Sequence, residues 1–553
     1  MYIIYSGSAK QYASAARTVR EGKRTRTVTT YLGRVVDREE GVYSNRERGY
    51  FTFDTKTGEY GPVPEGWDVP ATEEADGRSR ELSHMLDFGD AFALDSFLWA
   101  TGMMEVVDSV GVANKDTLHA MLLFYMLSTM ANCDARTWFE GSVAGLMYPD
   151  ASMSSQRVSD FLAALGDPDR QLAFQTRWIE FVNKKFKRDG GILIDSTGLP
   201  NSVHFPLTCV SKHNGKVSTE VRLIIVVQRT TGLPIFYQAI PGNVVDVSTL
   251  ERVLLHLEAL GVDVDLCIID AGYESGPNLD LFYGDDKTCK TGYITRLSSD
   301  DSNLLEVASR RLADIRKEEN LVRYQDRCLF MVREEVKVGK NKDKPAWLYL
   351  GVDVNRAADE QRKLMRRAKT DGLSDAEIVL RLEREGVFAV VSGRKLTCGE
   401  VLPAYYQRQA AEQVFDYAKN YTKMLPLRTH TVETFQGHLL LSYMATCAIK
   451  LVQMRMREAS LTLGSRFQGL RNQKCRVYKG RIVTDVPQRF ARESYAALGV
   501  ECPAAITISG GRLALERPKA GSVNPRPRKA RTRTGGKGKA AEPAKGAAAE
   551  EGA

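Results

Sequence analysis

The sequence predicts a multidomain α/β protein built on a mixed β-sheet with helices on its faces. Three observations predict it. Two apolar runs, Gly190 to Gly198 and Asp265 to Tyr273, each read as a buried strand that carries an aspartate, Asp195 or Asp270, into a glycine turn. Between them lie two further strand patterns, Ser218 to Gln228 and Leu233 to Ile240, joined by Thr231-Gly232. They are followed by a helical stripe, Ser248 to Leu260, with Leu250, Val253, Leu254 and Leu257 on one side. Finally, 553 residues with 43% hydrophobic content are enough for several packed cores. Three antiparallel strands, a helix and a fourth strand make a mixed sheet. Adjacent central strands would bring Asp195 and Asp270 together.

Taken in order, residues 1–65 read as a small β-rich module with strands at Met1 to Tyr5, Thr27 to Tyr31 and Gly49 to Phe53. Residues 66–187 form a helical region and a candidate DNA-binding one. Its helices are expected at Asp116 to Met130, Ala135 to Ala144 and Ser154 to Leu165, the last with Val158, Phe161, Leu162 and Leu165 inward. Gln156 and Arg157, exposed near the start of that helix, are candidates for contact with the base edges of DNA; a plain packing role for the helix is the alternative. Residues 188–298 are the first part of the core, ending with a fifth strand at Gly292 to Leu297. Residues 299–385 are an insertion of strands (Leu321 to Val338, Ala346 to Val354) and charged helices (Ala357 to Lys369, Asp375 to Glu385). Residues 386–460 return to the core through Val387 to Ser392. A C-terminal region, 461–515, precedes a tail, 516–553. From Arg517 to Lys539 that tail carries nine Lys or Arg and no acid, so it reads as a disordered basic tail, either attracting DNA or only solubilising the chain.

The returning segment contains Tyr405-Tyr-Gln-Arg-Gln-Ala-Ala-Glu-Gln-Val-Phe-Asp-Tyr-Ala-Lys419. On a single helix at ~100° per residue, Tyr405, Arg408, Glu412 and Lys419 fall within an arc of about 60°. Ala411, Val414, Phe415, Ala418 and Met424 would bury the other side. On charge alone the row reads as a solvated face with an Arg408–Glu412 pair. Two strand-borne aspartates alter that reading, because three acids brought together repel one another unless they share a divalent ion. The cations and the phenol would then grip phosphates beside it.

These residues carry a family resemblance. Tyr405, Arg408, Glu412 and Lys419 match the signature Y-(2)-R-(3)-E-(6)-K at every spacing, and the chain resembles DDE transposases of that bacterial insertion-sequence group. Asp195-Ser196-Thr197 resembles the first-acid motif and Asp270-Ala271-Gly272-Tyr273 the second. Pro241-Gly242-Asn243 with Asp246 and Thr249 resembles a further stretch typical of the group. The resemblance covers roughly residues 110 to 460. It implies a ribonuclease H-like catalytic core with Asp195, Asp270 and Glu412 as catalytic residues and metal ligands. Tyr405, Arg408 and Lys419 would bind DNA phosphates.

The implied function is cut-and-paste DNA transposition: binding of terminal inverted repeats, then metal-dependent strand cleavage and transfer. The acids would hold two Mg2+ (or Mn2+) ions, Asp195 bridging them. The partners implied are double-stranded DNA, both element ends and target, and a second copy of the chain in a paired-end complex. Trp347, the only tryptophan between Asp270 and Glu412, is a candidate base-stacking residue, with burial in the insertion as the alternative. Tyr273, Tyr405 and Tyr406 would position groups without acting as nucleophiles. A tyrosine recombinase needs no carboxylate triad. A non-catalytic DNA-binding descendant would be marked by a lost acid, and all three are present.

Composition sets bounds. The net charge of +8 is modest for the size, and nine cysteines without a CxxC pair argue for a reducing compartment and against a zinc site. No signal-peptide pattern opens the sequence. Met121 to Met130 and Leu439 to Leu451 are too short and interrupted to span a membrane. The expected location is the bacterial cytoplasm, at the nucleoid when DNA is bound.

Overall fold

A computed structural model describes residues 1–525 except 8–10, 22–23, 46–47, 68–83, 187–189, 202–206, 212–216 and 369. The chain divides into two compact units, Met1–Leu82 and Ser83–Ala553. The first is a six-stranded antiparallel sheet in sequential order, from Tyr2–Ser6 to Tyr60–Gly61. Its core is small: Ala13, Ala15, Leu32, Tyr43 and Phe51.

The second unit is organised by a ten-stranded mixed sheet. Across it run Pro234–Pro241, Ser218–Gln228, Gly191–Pro200, Leu266–Ile269, Gly292–Arg296, Val387–Ser392, Lys344–Asp353, Arg327–Val338 and Leu321–Tyr324, with Cys209–Ser211 paired to Ser218–Gln228 outside this path. In order of appearance the first five long strands therefore lie third, second, first, fourth, fifth. The strands Gly191–Pro200, Leu266–Ile269 and Gly292–Arg296 are mutually parallel and the other pairings antiparallel. The insertion strands do not pair among themselves alone. They continue the same sheet through Val387–Ser392, and Leu321 to Val338, expected as one strand, folds into a hairpin at Gln325, whose φ is +54°.

Helices cover both faces. On the edge strand, Tyr237 packs on Tyr443 of the helix Val432–Glu458 with ring centroids 4.5 Å apart, and Trp178 Nε1 of the helix Pro168–Lys185 donates to the Pro234 carbonyl at 2.6 Å. The neighbouring Phe236 points the other way, onto His256 of the helix Leu250–Ala259. Alternation along one strand thus serves both layers. Val432–Glu458 is buried over most of its 27 residues and is the axis of the unit. Each of its fully buried Leu, Ile or Val side chains contributes ~1.5–3 kcal/mol. Gly437 and Gly166 let it lie against the helix Ser155–Leu165. A Cβ at Gly437 would come within 1.8 Å of the Leu162 carbonyl oxygen, and one at Gly166 within 1.9 Å of that of Glu433. No helix among the described residues is long and apolar enough to cross a membrane.

The C-terminal strands Lys474–Tyr478, Arg481–Thr484, Ala505–Ser509 and Arg512–Leu513 join Met85–Asp87 in a third sheet, fastening the end of the unit to its beginning. Here one expectation fails. The basic tail does not start as a disordered segment: Arg517 pairs with the fully buried Asp95 and lies over the rings of Trp99 and Tyr148 at 5.3 and 5.2 Å. Gly521 and Val523 then donate backbone bonds to the Ala100 carbonyl. Asp95 cannot stay charged inside the helices without a cation, so its burial draws the chain in. Residues 526–553 lie outside the described residues.

Removing one partner of a buried ion pair costs ~3–5 kcal/mol. Arg517→Ala is therefore expected to lose that much in urea unfolding. The loss should shrink on acidification, because burial already raises the pKa of Asp95 and the stranded carboxylate can then take up a proton.

Candidate active site

Asp195 and Asp270 meet because their strands are neighbours in parallel register. Ile194 pairs with Ile269, so the next residue of each strand is an acid. Asp270 stands just past its strand, as expected. Asp195 does not: its strand runs on to Pro200, paired with Ser218–Gln228, and the acid sits in mid-strand, 9% exposed.

Glu412 arrives on the helix Gln409–Asn420. The single helix expected from Tyr405 to Lys419 is in fact two, Cys398–Tyr406 and Gln409–Asn420. Between them the bonds tighten to the three-residue spacing, with Arg408 N–H donating to Tyr405, Ala410 to Gln407 and Ala411 to Arg408. Such turns wind faster than an α-helix, so the uniform ~100° step expected from Tyr405 to Glu412 is broken, yet Tyr405, Arg408 and Glu412 still line one crevice. Tyr405 is buried, and Arg408 swings inward over its ring, 5.9 Å from the centroid. The apolar side holds as expected, with Ala411, Val414, Phe415, Ala418 and Met424 all buried.

Arg408 is the centre of the site. Its guanidinium lies 3.4 Å from Asp195 Oδ2, 3.5 Å from Asp270 Oδ1 and 3.1 Å from Glu412 Oε1. One cation faces three anions. Burial, opposed by Arg408 and reinforced by repulsion from Asp270 and Glu412, pushes the Asp195 pKa up to about 7. Burial works against the charge of Arg408 too, but Asp270, Tyr405, Asp195 and Glu412 outweigh it and raise its pKa.

The surplus negative charge and an all-oxygen donor set suit a hard divalent cation. Among the described residues no three acidic, His or Cys side chains are gathered closely enough to hold an ion as they stand; the guanidinium takes that position. The side chains of Asp270 and Glu412 are 39% and 52% exposed, so packing does not enclose either one.

Two further layers support the acids. On the face shared with Asp195, Lys419 Nζ donates to Thr197 Oγ1 at 2.6 Å and to the Gly198 carbonyl at 3.1 Å. It ties the helix to the Asp195 strand instead of standing free for phosphate, and burial lowers its pKa. On the opposite face, Ser196 Oγ donates to Asp246 Oδ1 at 2.7 Å. Arg222 Nη2 donates to Ser196 Oγ at 2.6 Å and to Asp246 Oδ2 at 2.9 Å. Asp246 thus fixes the Asp195 strand from behind.

Beside the acids opens a crevice of about 130 Å³ lined by Arg296, Asp353, Arg356, Tyr406 and Glu412, among others. Arg327 reaches Tyr406 Oη at 3.2 Å and Asp353 at 3.6 Å, so the insertion builds one wall. Arg296 and Arg356 escaped the sequence reading. Arg296 had a signal: it ends a strand parallel to those of Asp195 and Asp270.

Two candidate groups stay apart from this centre. Trp347 pairs with Ser392, whereas Asp353, six residues along the same strand, lines the crevice. At ~3.3 Å per residue that separates them by ~20 Å. The ring is half-buried between Arg333 and Lys395, 5.2 and 4.5 Å from its centroid. Gln156 and Arg157 are exposed and make their contacts along their own helix, to Asp160.

Comparison with known families bears on this arrangement. Residues 187–448 match the family described as Transposase DDE domain. The matched segment contains Asp195, Asp270, Arg408, Glu412 and Lys419, and it supports a DDE transposase. No curated protein matches. Among solved structures the chain is similar to the piggyBac transposase in a synaptic complex with hairpin DNA. The identity is 12% and the TM-score 0.38, covering 69% of this chain and 78% of that one. This likeness is too distant to inform the geometry of the site.

A carboxyl group whose pKa is raised on folding contributes stability that is present below its ordinary value near 4 and lost as pH rises through 7. In metal-free buffer Asp195→Asn is therefore expected to melt higher than the unsubstituted chain at pH 8, with the difference closing by pH 4. Equal melting temperatures at pH 8 would place the charge of Asp195 fully within Arg408's reach.

Proposed function

We propose that the chain is a DNA transposase of the insertion-sequence group marked by Y-(2)-R-(3)-E-(6)-K. It would bind the terminal inverted repeats of its element and cut and rejoin DNA by a cut-and-paste route. The observation that carries this reading is the convergence of Asp195, Asp270 and Glu412 on one guanidinium within 3.5 Å. A ribonuclease H-like core is supported by the third-second-first-fourth-fifth order of the first five long strands.

Asp195, Asp270 and Glu412 would hold two divalent cations, magnesium or manganese. When bound, such ions activate water or a DNA 3′-hydroxyl and stabilise the leaving oxygen in phosphodiester exchange. The remaining tasks fall to the chain's own residues. Asp195 must be ionised to act as a ligand, and its raised pKa makes that ionisation coincide with cation binding. Arg408, released from the acids, is placed to meet a phosphate oxygen with paired N–H donors. Arg296 and Arg356 offer further cationic contacts along the crevice. Tyr405 backs the Arg408 guanidinium, and Lys419 keeps the helix on the Asp195 strand. Two copies of the chain would act in a paired-end complex, in the bacterial cytoplasm.

A DNA-binding descendant without catalysis is the second reading, and the presence of all three acids weighs against it. Asp195→Ala, Asp270→Ala and Glu412→Ala are each expected to abolish magnesium-dependent cleavage of the element's ends while leaving end binding in place. Parallel cleavage and gel-shift assays on the three variants test this. Cleavage at the unsubstituted rate by any one of them would remove that residue from the ligand set.

A further inference from the structure

In the unit Met1–Leu82 two strands outrun the sheet that carries them. Tyr2–Ser6 flanks only Tyr12 to Ala16, and Val42–Asn45 flanks only Arg34 to Asp37. Beyond these supports, Arg17 to Glu21 and Arg24 to Val28 have only each other, in ladder pairs from Arg17–Val28 to Glu21–Arg24. At ~3.4 Å per residue this is an antiparallel ribbon about 17 Å long.

Among the described residues neither face of the ribbon is covered. Arg17, Thr18, Arg20, Thr25, Arg26 and Thr27 are exposed, and Val19 and Val28 are half-exposed. A bare two-stranded ribbon is marginal in water. This one is rich in Thr and Val, which favour extended backbone, and has no core to bury. Local preference holds its shape, leaving its surface for a partner.

The charge of the ribbon defines that partner. From Arg17 to Val28 the sequence carries five Lys or Arg and a single acid. The pairs Arg17–Val28 and Val19–Arg26 put Arg17 and Arg26 on one face, while Arg20, opposite Thr25, lies on the other. Among the described residues no ion pair engages these three arginines. Arginine is suited to phosphate, and the major groove of B-DNA, ~12 Å wide, admits a two-stranded ribbon. We propose that the ribbon strands Arg17–Glu21 and Arg24–Val28 bind duplex DNA from the major groove, with Arg17, Arg20 and Arg26 on backbone phosphates. The proposal rests on the transposase reading only in that duplex DNA is the substrate, and it assigns the first unit a grip separate from the cleavage chemistry.

The test uses the full chain and fluorescence anisotropy on a duplex carrying an element end, with affinity followed against salt. Each phosphate contact contributes ~0.9 to the slope of log K against log salt. The triple variant Arg17→Ala, Arg20→Ala, Arg26→Ala should flatten the slope by ~2–3 and weaken binding by about tenfold to a hundredfold at physiological salt. The corresponding triple Lys variant should keep the slope. An unchanged slope in the alanine variant, with duplex bound, would overturn the ribbon's role and leave the transposase reading intact. A loss confined to RNA or single strands would overturn it equally. If the unsubstituted chain leaves duplex DNA free, both readings fall.

Discussion

The guanidinium of Arg408, set among Asp195, Asp270 and Glu412, is the interaction on which the site depends. Three carboxylates around one buried-strand position repel one another, and a single cation offsets only part of that repulsion. The imbalance appears in Asp195, whose carboxyl is held neutral up to about pH 7 mainly by burial. A site with more negative charge than its own side chains neutralise is preorganised for added positive charge. In the proposed reading Arg408 is an internal placeholder that would keep the acids together until cations bind.

The architecture serves this junction. Parallel register sets Asp270 beside Asp195, Lys419 clamps the Glu412 helix to the same strand, and the Ser196–Asp246–Arg222 network braces it from the opposite face. The insertion extends the same sheet, so Asp353 at a strand end, and Arg356 in the first turn of the helix that follows it, reach the crevice through strand pairing instead of a flexible lobe. A rigid sheet suits chemistry that needs its charges aligned before substrate enters.

The strands of the core were legible because buried strands are near-continuous apolar runs bounded by turn residues, and both acids stand out as polar interruptions of such runs. The apolar side of the Glu412 helix was legible from its period. The break in its polar side was not. A one-residue tightening at Gln407 and Arg408 leaves the composition unchanged yet rotates Tyr405 into the core. Arg517 was misread because a basic, proline- and glycine-containing stretch gives no local sign that a buried Asp95, more than four hundred residues earlier, needs its charge. How far Trp347 lies from the crevice depends on strand register across Val387–Ser392, which no local pattern encodes.

The most direct test of the account is anomalous diffraction from crystals of the full chain soaked in manganese. The account predicts manganese bounded by the carboxylates of Asp195, Asp270 and Glu412, with the Arg408 guanidinium displaced from between them. Arg408 remaining in contact with all three acids at saturating manganese, with no anomalous density beside them, would contradict it.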